Sequence, residues 1–436
     1  MVRLGFQEDG VNRKLGWCAT SWLALLCTTG CGSEAVGGPT TVTVSGSVLG
    51  KEGEILRRQL ERFDREHPEI RVEMRPTPDA ADLRHQLYVQ WLNARASDPD
   101  ILQVDAIWTP EFAAAGWILP LDRYAPDTAA FFPVTIQANR WQGQLFALPW
   151  FVDVGMLYWR TDLFDRAPRT WEELDRDARR AIAGGTPRYG LVLQGARYEG
   201  LITVFLEYLG GFGGHILEGG RVTVHHAPGV RALTTMRNQF RDGIVPARAL
   251  TWHEEEPRFA FQNGEAAFMR NWPYAVSQMQ DSARSRVAGK FAVAPMPAAP
   301  GGRPTAAFGG AQLAINGFSP EADAAWLVID YLTQPEQMLE RAKLVGQFPT
   351  RTAVFDDPAL AEALAIPPAQ ARAIVEAAVP RPVTPVYTQL SEILQIQLHR
   401  ALSRQAEPEA ALAAAAREMQ ALLDRVGLGR RQVAGR

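Results

Sequence analysis

Beyond position 41 the chain switches between two apolar periods. Val42 and Val44 alternate with polar neighbours, which predicts a short strand. Gly50 to Gly53 reads as a loop. Ile55, Leu56, Leu60 and Phe63 then recur at helical spacing until Pro68 stops them. Ile70, Val72 and Met74 alternate again as a second strand, and residues 82–93 read as a second helix. Ile101 to Val104 is a short apolar run of buried-strand type that ends at Asp105. Pro110 opens a short helix and Gly116 closes it. Strand, helix, strand, helix, strand predicts an α/β fold with a mostly parallel sheet.

A second unit begins near Pro149. Val154 to Trp159 reads as a strand, Thr170 with Glu173 as a capping box, and Gly190 to Gln194 as another strand. Gly210 to Gly214 reads as a turn, since no Gly-Lys-Ser/Thr follows and the spacing fits no nucleotide fingerprint. Phe291 to Ala294 and Ala311 to Ile315 read as returning strands. Ser319-Pro320-Glu321 starts a helix with Ala325, Val328, Ile329 and Leu332 on its apolar stripe. The tail from Glu409 repeats that pattern with Leu412, Ala415, Ala416, Met419 and Leu423.

The length of 436 residues and an apolar fraction of 47% suit more than one core. The net charge of -3 is spread without a basic run, so nucleic acid is not the expected partner. Cysteine occurs only at Cys18, Cys27 and Cys31, and the seven histidines show no metal spacing, so neither a metal nor a cofactor is expected. Arg13 and Lys14 precede the apolar run Leu15 to Leu26, and small residues lead to Cys31. That run is shorter than the roughly 20 residues that span a bilayer, and it suits the core of an export signal. A small residue directly before Cys31 resembles a bacterial lipoprotein cleavage site, although Thr28 stands where such sites prefer Leu. The expected anchor is therefore a lipid on Cys31, with residues 1–31 as signal and 32–41 as a flexible tether.

A sugar needs hydrogen-bond partners for its hydroxyls and flat apolar rings for its C–H faces, so ionised acids, Arg, Trp and Tyr drawn from strand-end loops suit it. Asp105 with Trp108, Trp150 and Phe151 with Asp153, and Trp272 with Tyr274 carry that chemistry on separate segments. Each also has an ordinary use, as a helix cap or in the core.

Ser97-Asp98-Pro99-Asp100, Glu111-Phe112 with Gly116 to Asp122, Asp153 to Tyr158, Gln194 to Leu201, Arg270 to Tyr274, Phe308-Gly309-Gly310 and Val379 to Pro382 occur in that order. Together they resemble the extracellular solute-binding proteins of bacterial sugar ABC importers, in particular the trehalose/maltose-binding group. The resemblance spans nearly the whole chain after the tether. It implies two α/β lobes joined by a hinge, with a ligand between them and no catalysis. It places lobe 1 at residues 42–149 plus about 301–350 and lobe 2 at 150–300 plus about 351–436, with crossings at Pro149–Trp150, near Pro300 and after Thr350. Glu52, Asp105 and Asp153 would accept from hydroxyls, Arg84 and an acid near Glu255 would contribute, and Trp272 and Tyr274 would stack. Gly310 would let the backbone approach the ligand, and Arg381 would donate from the other lobe. Relatives often carry Trp where this chain has Ala311, and Tyr where it has Phe151. The implied partners are a disaccharide such as trehalose or maltose and a membrane permease, with the protein a monomer held at the outer face of the membrane. An oligosaccharide or a glycerol phosphodiester is the alternative ligand. A glycoside hydrolase is the alternative class, which needs two carboxylates about 5 to 9.5 Å apart.

Overall fold

β-Branched residues set the first strand, which starts earlier than the pattern suggests. Thr40 and Thr41 already pair with Ile70 and Arg71, so the expected tether is shortened at its C-terminal end. The computed structural model describes residues 38–46, 50–78, 81–364 and 366–429. Cys31 and the expected signal segment lie outside the described residues. Among those described, no helix is long and apolar enough to cross a membrane.

Strand β1 (Thr40–Gly46) is followed by α1 (Gly50–Glu66), β2 (Ile70–Pro76), α2 (Ala81–Asn93), β3 (Ile101–Asp105) and α3 (Thr109–Ala114). The expected loop at Gly50 to Gly53 is instead the first turn of α1. β4 (Leu148–Val154) and β5 (Met156–Arg160) are separated at Gly155, where one continuous strand was expected. Then come α4 (Trp171–Ala183), β6 (Tyr189–Val192), α5 (Glu199–Gly211), α6 (Ala227–Arg241), α7 (Glu255–Gln262), β7 (Ala266–Asn271) and β8 (Phe291–Ala294). The chain ends through β9 (Ala306–Ile315), α8 (Ala322–Leu332), α9 (Pro335–Val345), β10 (Phe348–Pro349), β11 (Ala378–Val379), α10 (Tyr387–Leu402) and α11 (Pro408–Arg425), with shorter turns of helix and two small hairpins between. Thr170 caps α4 by accepting from the Glu173 N–H at 3.2 Å, as its spacing predicts.

Two sheets result. The first runs β10-β4-β9-β3-β1-β2, with β11 beside β9, and the second runs β8-β5-β7-β6. Both are mixed, a departure from the mostly parallel sheets expected. β1 is parallel to β2 and β3, but β9 is antiparallel to both β3 and β4. The cause is connectivity: β4 carries the chain out of the first sheet and β9 brings it back, so the neighbours run in opposite senses. The passage to the second sheet falls at Gly155, beyond Pro149–Trp150, because Trp150 to Val154 still belong to β4.

Helices cover both faces of the first sheet. Ile101, Leu313 and Ile315 pack with Leu56, Phe63 and Val328, while Leu102, Val104 and Ala314 pack with Tyr88 and Phe112 on the other side. In the second sheet Leu157 joins Phe205 and Leu233 on one face, and Met156 and Tyr158 join Phe261 on the other. Each large apolar side chain withdrawn in this way contributes about 1.5–3 kcal/mol.

Candidate functional site

The first sheet presents Asp105 at the end of β3 and Asp153 on β4, on either side of β9. Glu52, in the first turn of α1, joins them, where the helix N-terminus favours its charge. Between β4 and β9 the register shifts beside Trp150, and such bulges commonly re-aim side chains at functional sites. Gly310 has φ +104 and faces Val152. A Cβ there would lie 2.8 Å from Val152 Cα and 2.9 Å from the Asp153 nitrogen. The bare position thus serves the approach of β9 to β4, a packing reason for glycine beside the expected approach to a ligand. Gly309 stands closer to the chemistry: a Cβ there would lie 3.7 Å from Trp272 and 3.8 Å from Asp153 Cβ.

Asp153 is half-buried. Burial, with Glu52 and Asp105 adding to it, pushes its carboxyl up to about 7, against the pull of Arg270 and Arg341. This modifies the expectation that every cleft acid is a settled anion. Asp105 accepts from Arg381 Nη2 at 2.7 Å and from the Ile107 N–H at 3.2 Å. Arg381 Nη1 donates to Glu199 Oε1 at 3.0 Å, and Glu199 also accepts from the Tyr387 hydroxyl at 2.5 Å and from Ser391. Burial opposes the charge on Arg381, but Asp105 and Glu199 outweigh it and hold the guanidinium above its ordinary range. Arg381 is thus engaged with protein acids in this structure.

In the second lobe β7 ends at Asn271, and Trp272 follows. The Asn271 side chain accepts from the Trp272 N–H at 2.8 Å, and the Tyr158 hydroxyl donates to the Trp272 carbonyl at 2.6 Å. The Arg270 guanidinium lies 3.8 Å from the indole centre and forms a wholly buried ion pair with Glu207 at 2.5 Å. Tyr274 donates to Glu255 at 2.8 Å. Burial opposes the charge on Glu255, but Arg258 and Tyr274 hold its carboxyl below the usual range. The neighbouring Tyr198 donates to Glu254 at 2.7 Å. Arg84 lies 5.6 Å over Trp108 and donates to the Pro78 carbonyl at 3.1 Å. Beside it the Asp82 carboxyl is pushed up by partial burial and by Asp105, against His85 and His253.

The structure therefore gathers Glu52, Asp105, Asp153, Trp272 and Arg381 at the junction of the two sheets. Tyr274 and Glu255 form a neighbouring pair, and Arg84 lies over Trp108. Phe151 is only 7% exposed and packs in the first core. A groove of about 1190 Å³ is lined by Gly210 to Gly214, Pro300 to Thr305 and Pro380 and Pro382, and by none of these acids. Among the described residues no cluster of three or more His, Cys, Asp or Glu could hold a metal.

The profile of bacterial extracellular solute-binding proteins matches residues 47–339. The chain belongs to that family. A probable ABC transporter-binding protein of Deinococcus radiodurans is 35% identical over 355 residues, 78% of this chain and 84% of the relative. Among solved structures, maltose-bound MalE3 of T. maritima is 42% identical with a TM-score of 0.82, covering 88% of this chain and all of that one. The GacH receptor of Streptomyces glaucescens, solved unliganded and with acarbose, is 25% identical with a TM-score of 0.77 over 88% of this chain and 99% of its own. These relatives are transport binding proteins and not enzymes, and they share the two-lobed α/β fold.

Several residues of this solute-binding protein escape a reading by motif. Glu199 and Arg270 lie inside recognisable segments, yet their partners Arg381 and Glu207 are distant in sequence. Asp82 and Arg341 stand on helices whose pattern signals only packing.

Proposed function

We propose that this chain captures a disaccharide of the trehalose or maltose type between its lobes and delivers it to the permease of an ABC importer. The observation that carries the reading is the convergence of Glu52, Asp105 and Asp153 with the half-buried Trp272, acids for hydroxyls beside a ring for a pyranose face. The likeness to a maltose-bound structure supports it. With Arg381 and Arg270 already paired to Asp105, Glu199 and Glu207, the carboxylates at the site disfavour an anionic ligand such as a glycerol phosphodiester. Ligand closes the lobes about the segments that cross between the sheets, and the permease meets the closed form. A lipid on Cys31 keeps the protein at the outer face of the membrane.

The test is a thermal-shift panel of mono- and disaccharides, followed by calorimetric titration. A ligand that binds only the folded state raises the melting temperature. Trehalose or maltose is expected to do so, and a flat response to every sugar would end the proposal.

A further inference from the structure

Arg341 lies outside the residues assigned above to the sugar. It projects from α9 and is only 2% exposed. Its Nε donates to Gln347 at 2.9 Å, and its guanidinium lies 4.0 Å from the Trp150 ring centre and 5.4 Å from that of Phe151. Its Nη1 is buried with no acceptor among the described residues. A buried, incompletely paired cation is costly and calls for a use.

Its surroundings indicate one. Phe151 and Asp153 are two apart on β4, so their side chains leave the same face of the strand. β10, which follows α9, pairs with β4 at Phe151 and Val152, and the Arg341 guanidinium lies against the Trp150 and Phe151 rings of that strand. Opposite Phe151 stands the small Ala311. Burial draws the Arg341 guanidinium down to about 10, while Glu52, Glu340 and Asp153 favour its charge. Glu340 is already held by Arg62 at 2.5 Å and by Gln59 at 3.1 Å. The other carboxylates in its field are therefore the cleft acids Glu52 and Asp153.

We propose that Arg341 is a positioning residue of the sugar site, orienting Glu52 and Asp153 and completing its unpartnered Nη1–H on a ligand hydroxyl, directly or through one water. This rests on the sugar-binding reading. The cation steadies two like charges that would otherwise repel each other, so Asp153 ionises at a lower pH than it would alone. An ionised carboxylate is the stronger acceptor for a hydroxyl.

The experiment titrates wild-type protein, Arg341→Met and Arg341→Lys with the tightest sugar of the panel, from about pH 5 to about pH 9, beside melting curves. Wild-type affinity is expected to rise with pH through the ionisation of Asp153. Arg341→Met should bind at least about tenfold more weakly near neutrality, with its midpoint moved to higher pH. Arg341→Lys keeps a charge but not the planar fork, so its midpoint should stay while affinity still falls several-fold. Unchanged affinity and midpoint in folded Arg341→Met, whatever its melting temperature, would make Arg341 a packing residue and overturn the inference while the sugar site stands. Should that variant not fold, wild-type affinity in Arg341→Lys would overturn it instead. Failure of wild-type protein to bind any sugar would remove the reading beneath it.

Discussion

Arg381 donates to Asp105 over 2.7 Å, joining the segment after β11 to the end of β3. The same guanidinium reaches Glu199 on α5, so one side chain links the first sheet to the second lobe. Taking one partner from a buried pair costs about 3–5 kcal/mol, because the other charge is left uncompensated. Arg381→Met is expected to destabilise to that order. Combining it with Asp105→Asn should cost less than the sum of the single changes. Denaturant unfolding of the single and double variants measures the coupling, expected at about 1 kcal/mol or more, and strict additivity would mean that the pair is not formed in solution.

Asp153 predicts a pH dependence with a definite sign. Its folded carboxyl holds a proton up to about 7. In the unfolded chain it releases the proton near the ordinary Asp value of about 3.9. Between these values the unfolded state binds fewer protons, so this group's contribution to stability is present at low pH and is lost as pH rises through about 7. Asp153→Asn should remove that loss, narrowing the difference between melting temperatures measured on the acidic and alkaline sides of neutrality. An undiminished difference would show that another group is responsible.

The same substitution should weaken sugar binding. A charge-assisted hydrogen bond is worth about 1.5–3 kcal/mol, on the order of a tenfold to hundredfold change in dissociation constant. Trp272→Ala should cost at least as much, by removing the surface on which a pyranose rests. Calorimetric titration of the two variants decides the location of the site: wild-type affinity in both would place the ligand elsewhere.

Gly310→Ala should disturb the fold before it disturbs binding. The position requires φ +104, and a methyl group would meet the β4 backbone. A strained residue of this kind costs about 1–3 kcal/mol, and the close contact adds to that. A melting curve checks it, and an unchanged midpoint would mean that β9 moves away from β4 at little cost.

Cys31→Ala should release the protein from the membrane or stall its processing, since stable anchoring takes more than one acyl chain and a lipidated N-terminal cysteine supplies them. Fractionation of cells carrying the variant is the measurement. Full retention with normal processing would exclude the anchor.

The local periods were enough to place β2, α2, β3 and the Thr170 cap, because each depends on neighbours a few residues apart. They could not give the sense of β9, whose direction depends on where the chain re-enters the first sheet. Asp105 and Asp153 were visible as acids beside aromatics at strand ends. The cations around them were not, since Arg381 reaches Asp105, and Arg341 comes into the field of Asp153, only through tertiary structure. Gly310 was legible as a special glycine, while its close fit against the backbone of the strand opposite was not.

Arg270 covers one side of the Trp272 indole. At the proposed site that leaves the other side for a ligand, so the ring would act as a shelf, not as one half of a sandwich. A shelf of this kind senses which flank of a pyranose is turned toward it. Sugars that carry an axial substituent on that flank would then be held off the ring before any hydroxyl finds an acid, so stereochemical sorting would begin at the indole.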